Sequence, residues 1–310
     1  MKKIILILLM IVSLISLSAC GSSEIVKPEA GLELDKVTLN LKQGLQVEVD
    51  SSIDPGLLIA LISTNYNSDV AYQFSAKINQ INDKVYNQEV NGYYYYNMLT
   101  KVDYLKANKN SLGLEVFFYS EGISEMLYLV KSNGSPLYGS KSSNGKISTF
   151  KNGDEIVPVI YPSASEITDK KTEVNCNYLV NVDRVRRNLS FGVLSGLYNL
   201  EYINEFRYEI SVTEKYIILT VNQPYGETIS NSYGIDPALL RKGECVKTIY
   251  LNVSTLEIDY IEANIKTYTY PSYMNMLYDY SYVLSKIDKS VIDDSIDDLR
   301  AYTMANTVSK

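Results

Sequence analysis

The chain has 310 residues, 46% of them hydrophobic, and its 29 lysines and arginines face 36 aspartates and glutamates for a net charge of −7. An acidic balance without a basic cluster excludes phosphate-driven nucleic-acid binding, because neutralising phosphates is what drives that affinity. Histidine is absent, which removes Ser-His-Asp and Cys-His nucleophile activation and every zinc site built on imidazole.

Met1-Lys2-Lys3 is a short basic start, Ile4 to Leu17 is an apolar run, and Leu17-Ser18-Ala19-Cys20-Gly21 closes it. The run is short of the roughly 20 apolar residues that a spanning helix needs. Its basic flank and its small residues before the cut fit an export leader. These residues resemble a bacterial lipoprotein signal peptide; the resemblance covers this leader alone, and the remainder of the chain is assigned to no family. It implies a signal peptide over 1–19, lipid modification of Cys20 with palmitate-type chains, and membrane lipid as a partner through that anchor. Two or three acyl chains hold a protein durably where one does not. Cleavage also removes Lys2 and Lys3, so anionic headgroups repel the body and the anchor acts without electrostatic help. Abundant Tyr, Asn, Ile and Lys, encoded by AT-rich codons, point to a low-GC, Gram-positive-like source. That places the protein on the extracytoplasmic face of the cell membrane.

Residues 20–36 are small, polar and interrupted by Pro28 and Gly31, and read as a tether. From Val37 the period is near two, with Val37, Leu39 and Leu41, then Val47 and Val49 after Gly44, which predicts a strand pair. Asp54-Pro55-Gly56 offers a turn or a helix start before the apolar stretch Leu57 to Ile62. Lys84 to Val90, Asn91-Gly92 and Tyr93 to Tyr96 predict a type I′ hairpin, since Asn and Gly tolerate positive φ. Further strands are expected at 114–119, 126–130 and 156–161. Polar turns separate them at Ser132-Asn133-Gly134-Ser135-Pro136, Ser142-Ser143-Asn144-Gly145 and Lys151-Asn152-Gly153-Asp154. The segment 37–165 therefore reads as a β-rich, sandwich-like domain.

Polar residues at 162–171 suggest a boundary, and 166–310 reads as a separate α+β domain, an antiparallel sheet with packed helices. Leu179, Val182, Val185, Leu189, Val193, Leu194 and Leu197 make a helical stripe. Hairpins are expected around Thr213-Glu214-Lys215 and across Ser254-Thr255-Leu256-Glu257. Asp236 to Gly243 reads as a short helix with Asp236 as cap and Gly243 as stop. Leu277, Tyr280, Leu284, Ile287 and Val291 have helical spacing, and Ile292, Ile296 and Leu299 continue an apolar face.

After Cys20 the remaining cysteines are Cys176 and Cys245, an even pair outside the reducing cytoplasm. A bridge between them would close a loop of about 70 residues and contribute on the order of 4 kcal/mol; two buried thiols are the other open state. Ser143-Asn144-Gly145-Lys146 has Ser-x-x-Lys spacing, but in a turn between strands rather than at a helix start, so it reads as solvated. Asp288, Asp293, Asp294, Asp297 and Asp298 lack the alternating ligands and turn glycine of a calcium loop and complement a helix dipole instead. No catalytic residue, metal site or cofactor is expected. The tyrosines offer rigid amphipathic contact area, with Tyr93 and Tyr95 on one strand and Tyr270 and Tyr273 in a strand-to-helix passage as candidate ligand contacts. The expected function is a non-catalytic, lipid-anchored protein binding a protein, peptide or glycan partner. Two alternatives stand beside it: a carrier of a hydrophobic ligand, by analogy with the LolA-like fold, and a carboxylate-based wall hydrolase.

Overall fold

Tyr72, Phe74, Ala76 and Ile78 alternate with Gln73, Ser75 and Lys77, the period of two that sends one set to each face of a sheet. The computed structural model describes residues 25–65, 69–81, 85–97, 100–111, 113–122, 125–143, 146–151, 154–155, 182, 185, 207–225, 241–269 and 276–305. Its elements begin with β1 (Lys36–Asn40), β2 (Gln46–Asp50) and helix α1 (Pro55–Asn65), followed by β3 (Val70–Ile81), β4 (Val85–Asn97), β5 (Val102–Ala107) and β6 (Leu114–Glu121). Next come β7 (Glu125–Ser132), β8 (Ser135–Ser143), β9 (Lys146–Lys151) and β10 (Asp154–Glu155). The C-terminal elements are β11 (Arg207–Val212), β12 (Tyr216–Tyr225), β13 (Arg241–Asn252), β14 (Ile258–Thr269), β15 (Met276–Ile287) and helix α2 (Ser290–Ala305).

The fold is α+β and mostly strand. β1 and β2 form a hairpin, and the thirteen strands β3 to β15 form one sheet in the order β10-β9-β8-β7-β6-β5-β4-β3-β15-β14-β13-β12-β11. Each described pairing is antiparallel. Two meanders therefore meet at β3 and β15, whose register runs from Leu277↔Ile81 to Ile287↔Ala71. The boundary expected at 165/166 lies outside the described residues, and strands from both of its sides share this sheet.

Among the described residues, each face of the large sheet has its own cover. Tyr72, Phe74, Ile78, Tyr94, Leu105, Val116, Leu219, Ile249, Ile261 and Leu284 form one apolar face, buried with Leu39 and Val49 of the hairpin, Leu58 and Ile59 of α1, and the helical residues Val182 and Val185. On the opposite face Tyr95, Tyr104, Phe117, Tyr119, Leu127 and Leu129 are buried under Ile292, Ile296 and Leu299 of α2. The apolar stretch after Asp54 is helical because Asp54 caps it: Leu57 N donates to Asp54 Oδ1 at 2.9 Å, and Pro55 needs no donor in the first turn.

Three expectations are corrected. Asn91-Gly92 is not a turn; both residues lie inside the 13-residue strand β4, opposite Ser75 and Phe74. Gly92 is there because the neighbouring strand passes too close for a side chain: a Cβ would stand 1.9 Å from the Lys106 carbonyl oxygen. The Asn-Gly hairpin turn is instead Asn133-Gly134, with φ of 49° and 85° between the paired Ser132 and Ser135, positive at both as type I′ requires. Leu277 to Ile287 is strand, not helix, because Tyr278, Tyr280, Tyr282 and Leu284 also alternate and β3 and β14 flank it. Arg241-Lys242-Gly243 opens β13 rather than ending a helix, while 236–240 lie outside the described residues, as does the strand expected at 156–161. The strand pair at 37–49 and the hairpins at 213–215 and 254–257 are present as expected.

Gly92→Ala drives a methyl group into backbone rather than into a movable side chain. It is expected to lower unfolding free energy by about 3 kcal/mol, read as a shift of the urea midpoint at unchanged slope.

Candidate functional site

The segment Ile25 to Leu34, part of the expected tether, is docked on the sheet as a strap. On the α2 face Ile25 and Ala30 pack on Tyr216, Tyr250 and Tyr260. These rings meet edge to face, at 5.6 Å for Tyr216–Tyr250 and 5.4 Å for Tyr250–Tyr260. Lys27 Nζ sits 5.5 Å from the Tyr250 ring centroid and 3.5 Å from Glu262 Oε2. Its pKa is raised by hydrogen bonding to Tyr250 and by Glu262. The strap then rounds the β11–β12 turn, where Glu214 N donates to Leu32 O at 3.0 Å and Leu34 N to Val212 O at 2.9 Å. From there it enters the hairpin on the opposite face.

Farther along the α2 face, Tyr95 donates to Asp69 Oδ1 at 2.6 Å, and Lys289 reaches the same oxygen at 3.0 Å and lies 5.0 Å from the Tyr95 ring. Tyr119 donates to Glu121 Oε2, which also takes Arg300 Nε at 3.1 Å. Tyr104 donates to Ser295 Oγ at 2.9 Å. Each tyrosine buries its ring under α2 and spends its hydroxyl on a polar partner. Burial pushes the Tyr104 and Tyr119 hydroxyls up to about 12. Asp69 and Glu121 are both held below the ordinary carboxylate range, first by the tyrosine hydroxyl each accepts from.

Between strap and helix lies a groove built by four adjacent strands. Their registers set the side chains in rows: Glu262, Val283, Ser75 and Asn91 in one, Asn264, Ser281, Lys77 and Glu89 in the next. Gln73 borders the first row beside Tyr93, which packs into the α2 cluster, and Ile25 of the strap closes the other side. The cavity measures about 400 Å³. Its lining is polar, with two carboxylates and a lysine among amides and hydroxyls, and Lys27 paired to one of the carboxylates. Asn91 Oδ1 is buried and accepts no hydrogen bond from the described residues. Such an acceptor is already desolvated and is costly to leave unmet.

Of the residues nominated from sequence, Tyr95 is buried at 4% exposure and Tyr93 is half-buried, so both serve the α2 core and only Tyr93 reaches the groove's edge. Cys20, Cys176, Tyr270 and Tyr273 lie outside the described residues. Cys245 is in β13 opposite Gln223 and Ile265. Ser143 and Lys146 are partners across the β8–β9 turn, not neighbours on a helix. Asp293, Asp294, Asp297 and Asp298 are exposed on α2, with Asp297 3.1 Å from Arg300, and Asp288 caps the helix by accepting from Ser290 N at 2.9 Å. The groove was missed by sequence reasoning; its signal is the polar half of β3, Gln73, Ser75 and Lys77. No protein-family model matches the chain, and no curated protein matches its sequence.

Two predictions follow from the groove's borders. Because the folded pKa values of Asp69 and Glu121 lie below their unfolded values of 3.8 and 4.5, their contribution is complete above about pH 5 and is lost as pH falls through the depressed values. The melting temperature should therefore fall from about pH 4.5 downward, with a flatter pH slope in the Asp69→Asn/Glu121→Gln variant. Lys27→Ala should raise amide exchange across residues 25–34 while lowering global stability by no more than about 1 kcal/mol, as for an exposed ion pair.

Proposed function

We propose that this protein is a lipid-anchored, extracytoplasmic accessory protein that binds a polar ligand or partner without catalysing a reaction, and that the mid-sheet groove is where it binds. The observation that carries the reading is the groove itself: a polar cavity left open between two parts of the chain that cover the sheet on either side. Polar side chains at the centre of a large sheet contribute little to a core and are costly to desolvate. Their collection in one place is economical if something polar occupies it.

The strap supports a site near the membrane. With Cys20 as the acylated residue, five steps of chain separate the anchor from Ile25 at the groove, a reach of no more than about 18 Å. The groove lining does not suit the alternative carrier, which requires an apolar chamber. Nor does it suit a hydrolase using its two acids. Glu262 and Glu89 stand on strands three spacings apart and two residues out of register, about 16 Å between their Cα atoms, against the roughly 5–9.5 Å between carboxyl groups used for glycoside hydrolysis.

Metabolic palmitate labelling should mark the wild type and not Cys20→Ala, which should leave the membrane fraction; labelled, membrane-bound Cys20→Ala would overturn the anchor. Native mass spectrometry of full-length protein extracted from its own membrane should show a bound non-covalent mass that Ser75→Tyr, which fills the groove, removes without changing the melting temperature. Equal bound mass in that variant would overturn the groove as the site.

A further inference from the structure

We infer that the groove accepts a neutral glycan segment, an inference that rests on the groove being the ligand site. Lys77 in the lining and Lys27, paired to Glu262 beside it, balance the two carboxylates Glu89 and Glu262, so the formal charge around the cavity sums to zero and favours neither an anionic nor a cationic ligand.

Donors and acceptors alternate over short distances: Glu89 only accepts, Lys77 only donates, Asn264 has both an amide donor and a carbonyl acceptor, and Ser75 and Ser281 do either. A sugar presents adjacent hydroxyls, each able to donate and accept, around one ring. The lattice of side chains repeats at about 4.8 Å across strands and about 6.8 Å along them, the scale on which a sugar's hydroxyls are spread. The volume of about 400 Å³ lies within the roughly 300–1,000 Å³ of small-ligand sites.

The strand pairing favours a glycan over a peptide. β14, β15, β3 and β4 are all interior strands, paired on both sides. They leave no edge to which an extended peptide adds its own backbone hydrogen bonds. The side chains that face the cavity emerge from paired strands, so little ordering is required on binding. Hydroxyl groups are the partners such a surface satisfies best.

The test uses the full-length lipidated protein in detergent, with neutral oligosaccharides of hexose and N-acetylhexosamine, their phosphorylated counterparts and unstructured peptides as probes, read by calorimetry and ligand-observed NMR. A neutral oligosaccharide should bind, its phosphorylated counterpart no more tightly. Ser75→Tyr should abolish binding, and Asn264→Leu should weaken it about tenfold, with both variants melting at the wild-type temperature. Absence of sugar binding at about 10 mM, tenfold tighter binding of the phosphorylated form, or peptide binding in place of sugar would overturn the glycan inference. If Ser75→Tyr still abolishes the binding of those other probes, the groove survives as the site. If Ser75→Tyr binds every probe as the wild type does, both readings fall.

Discussion

The hydrogen-bonded pairing of β3 with β15 joins segments roughly 200 residues apart in sequence, and closing so long a loop costs only modestly more than closing a short one. Most of the architecture depends on that seam. It makes one sheet from two meanders, so that the first half of the chain supplies β3 to β10 and the second half β11 to β15. It also aims α2, which begins three residues after β15 ends, with Asp288 capping its first turn. From there the helix lies across Tyr95, Tyr104 and Tyr119, each of which buries a ring and ends in a hydroxyl with a partner. The groove straddles the seam, with Ser75 and Lys77 contributed from one side and Val283 and Ser281 from the other.

A sheet this wide has two faces to shield, and the molecule shields them by different means. One face is apolar nearly throughout and takes the hairpin, α1 and the helical residues Val182 and Val185. The other is apolar under α2 and aromatic under the strap, and polar between them. Tyrosine suits the covered parts of that second face because it fills volume and still reaches a carboxylate at the border. Asp69, Glu121 and Asp259 are such acceptors, Asp259 taking Asn252 at 2.8 Å and Tyr216 at 3.3 Å. These particular tyrosines hold the covers in place.

Local signals were legible where the chain's immediate neighbours decide structure. The hairpins at 213–215 and 254–257 and the strand pair at 37–49 each follow from a few adjacent residues. Signals failed where a distant strand decides. Asn91-Gly92 has turn chemistry, yet β3 and β5 flank it and the approach of the Lys106 carbonyl explains its glycine better than a turn does. Residues 276–287 carry apolar side chains compatible with both a period of 3.6 and a period of two, and the partners β3 and β14 resolve the ambiguity. The strap composition, with Pro28 and Gly31, resembles a free tether because nothing local reveals Tyr250 and Glu262 waiting for Ile25 and Lys27.

The sequence by itself determined the leader's resemblance to a lipoprotein signal with Cys20 as its acceptor, the acidic charge balance, the lack of imidazole chemistry and the α+β, strand-rich character. These depend on composition or on a short contiguous motif. Only the tertiary structure decided which side chains line the groove. Glu89, Asn91, Ser75, Lys77, Ser281 and Glu262 are spread over four strands and meet through cross-strand register. A one-residue slip in that register would send each of these side chains to the opposite face.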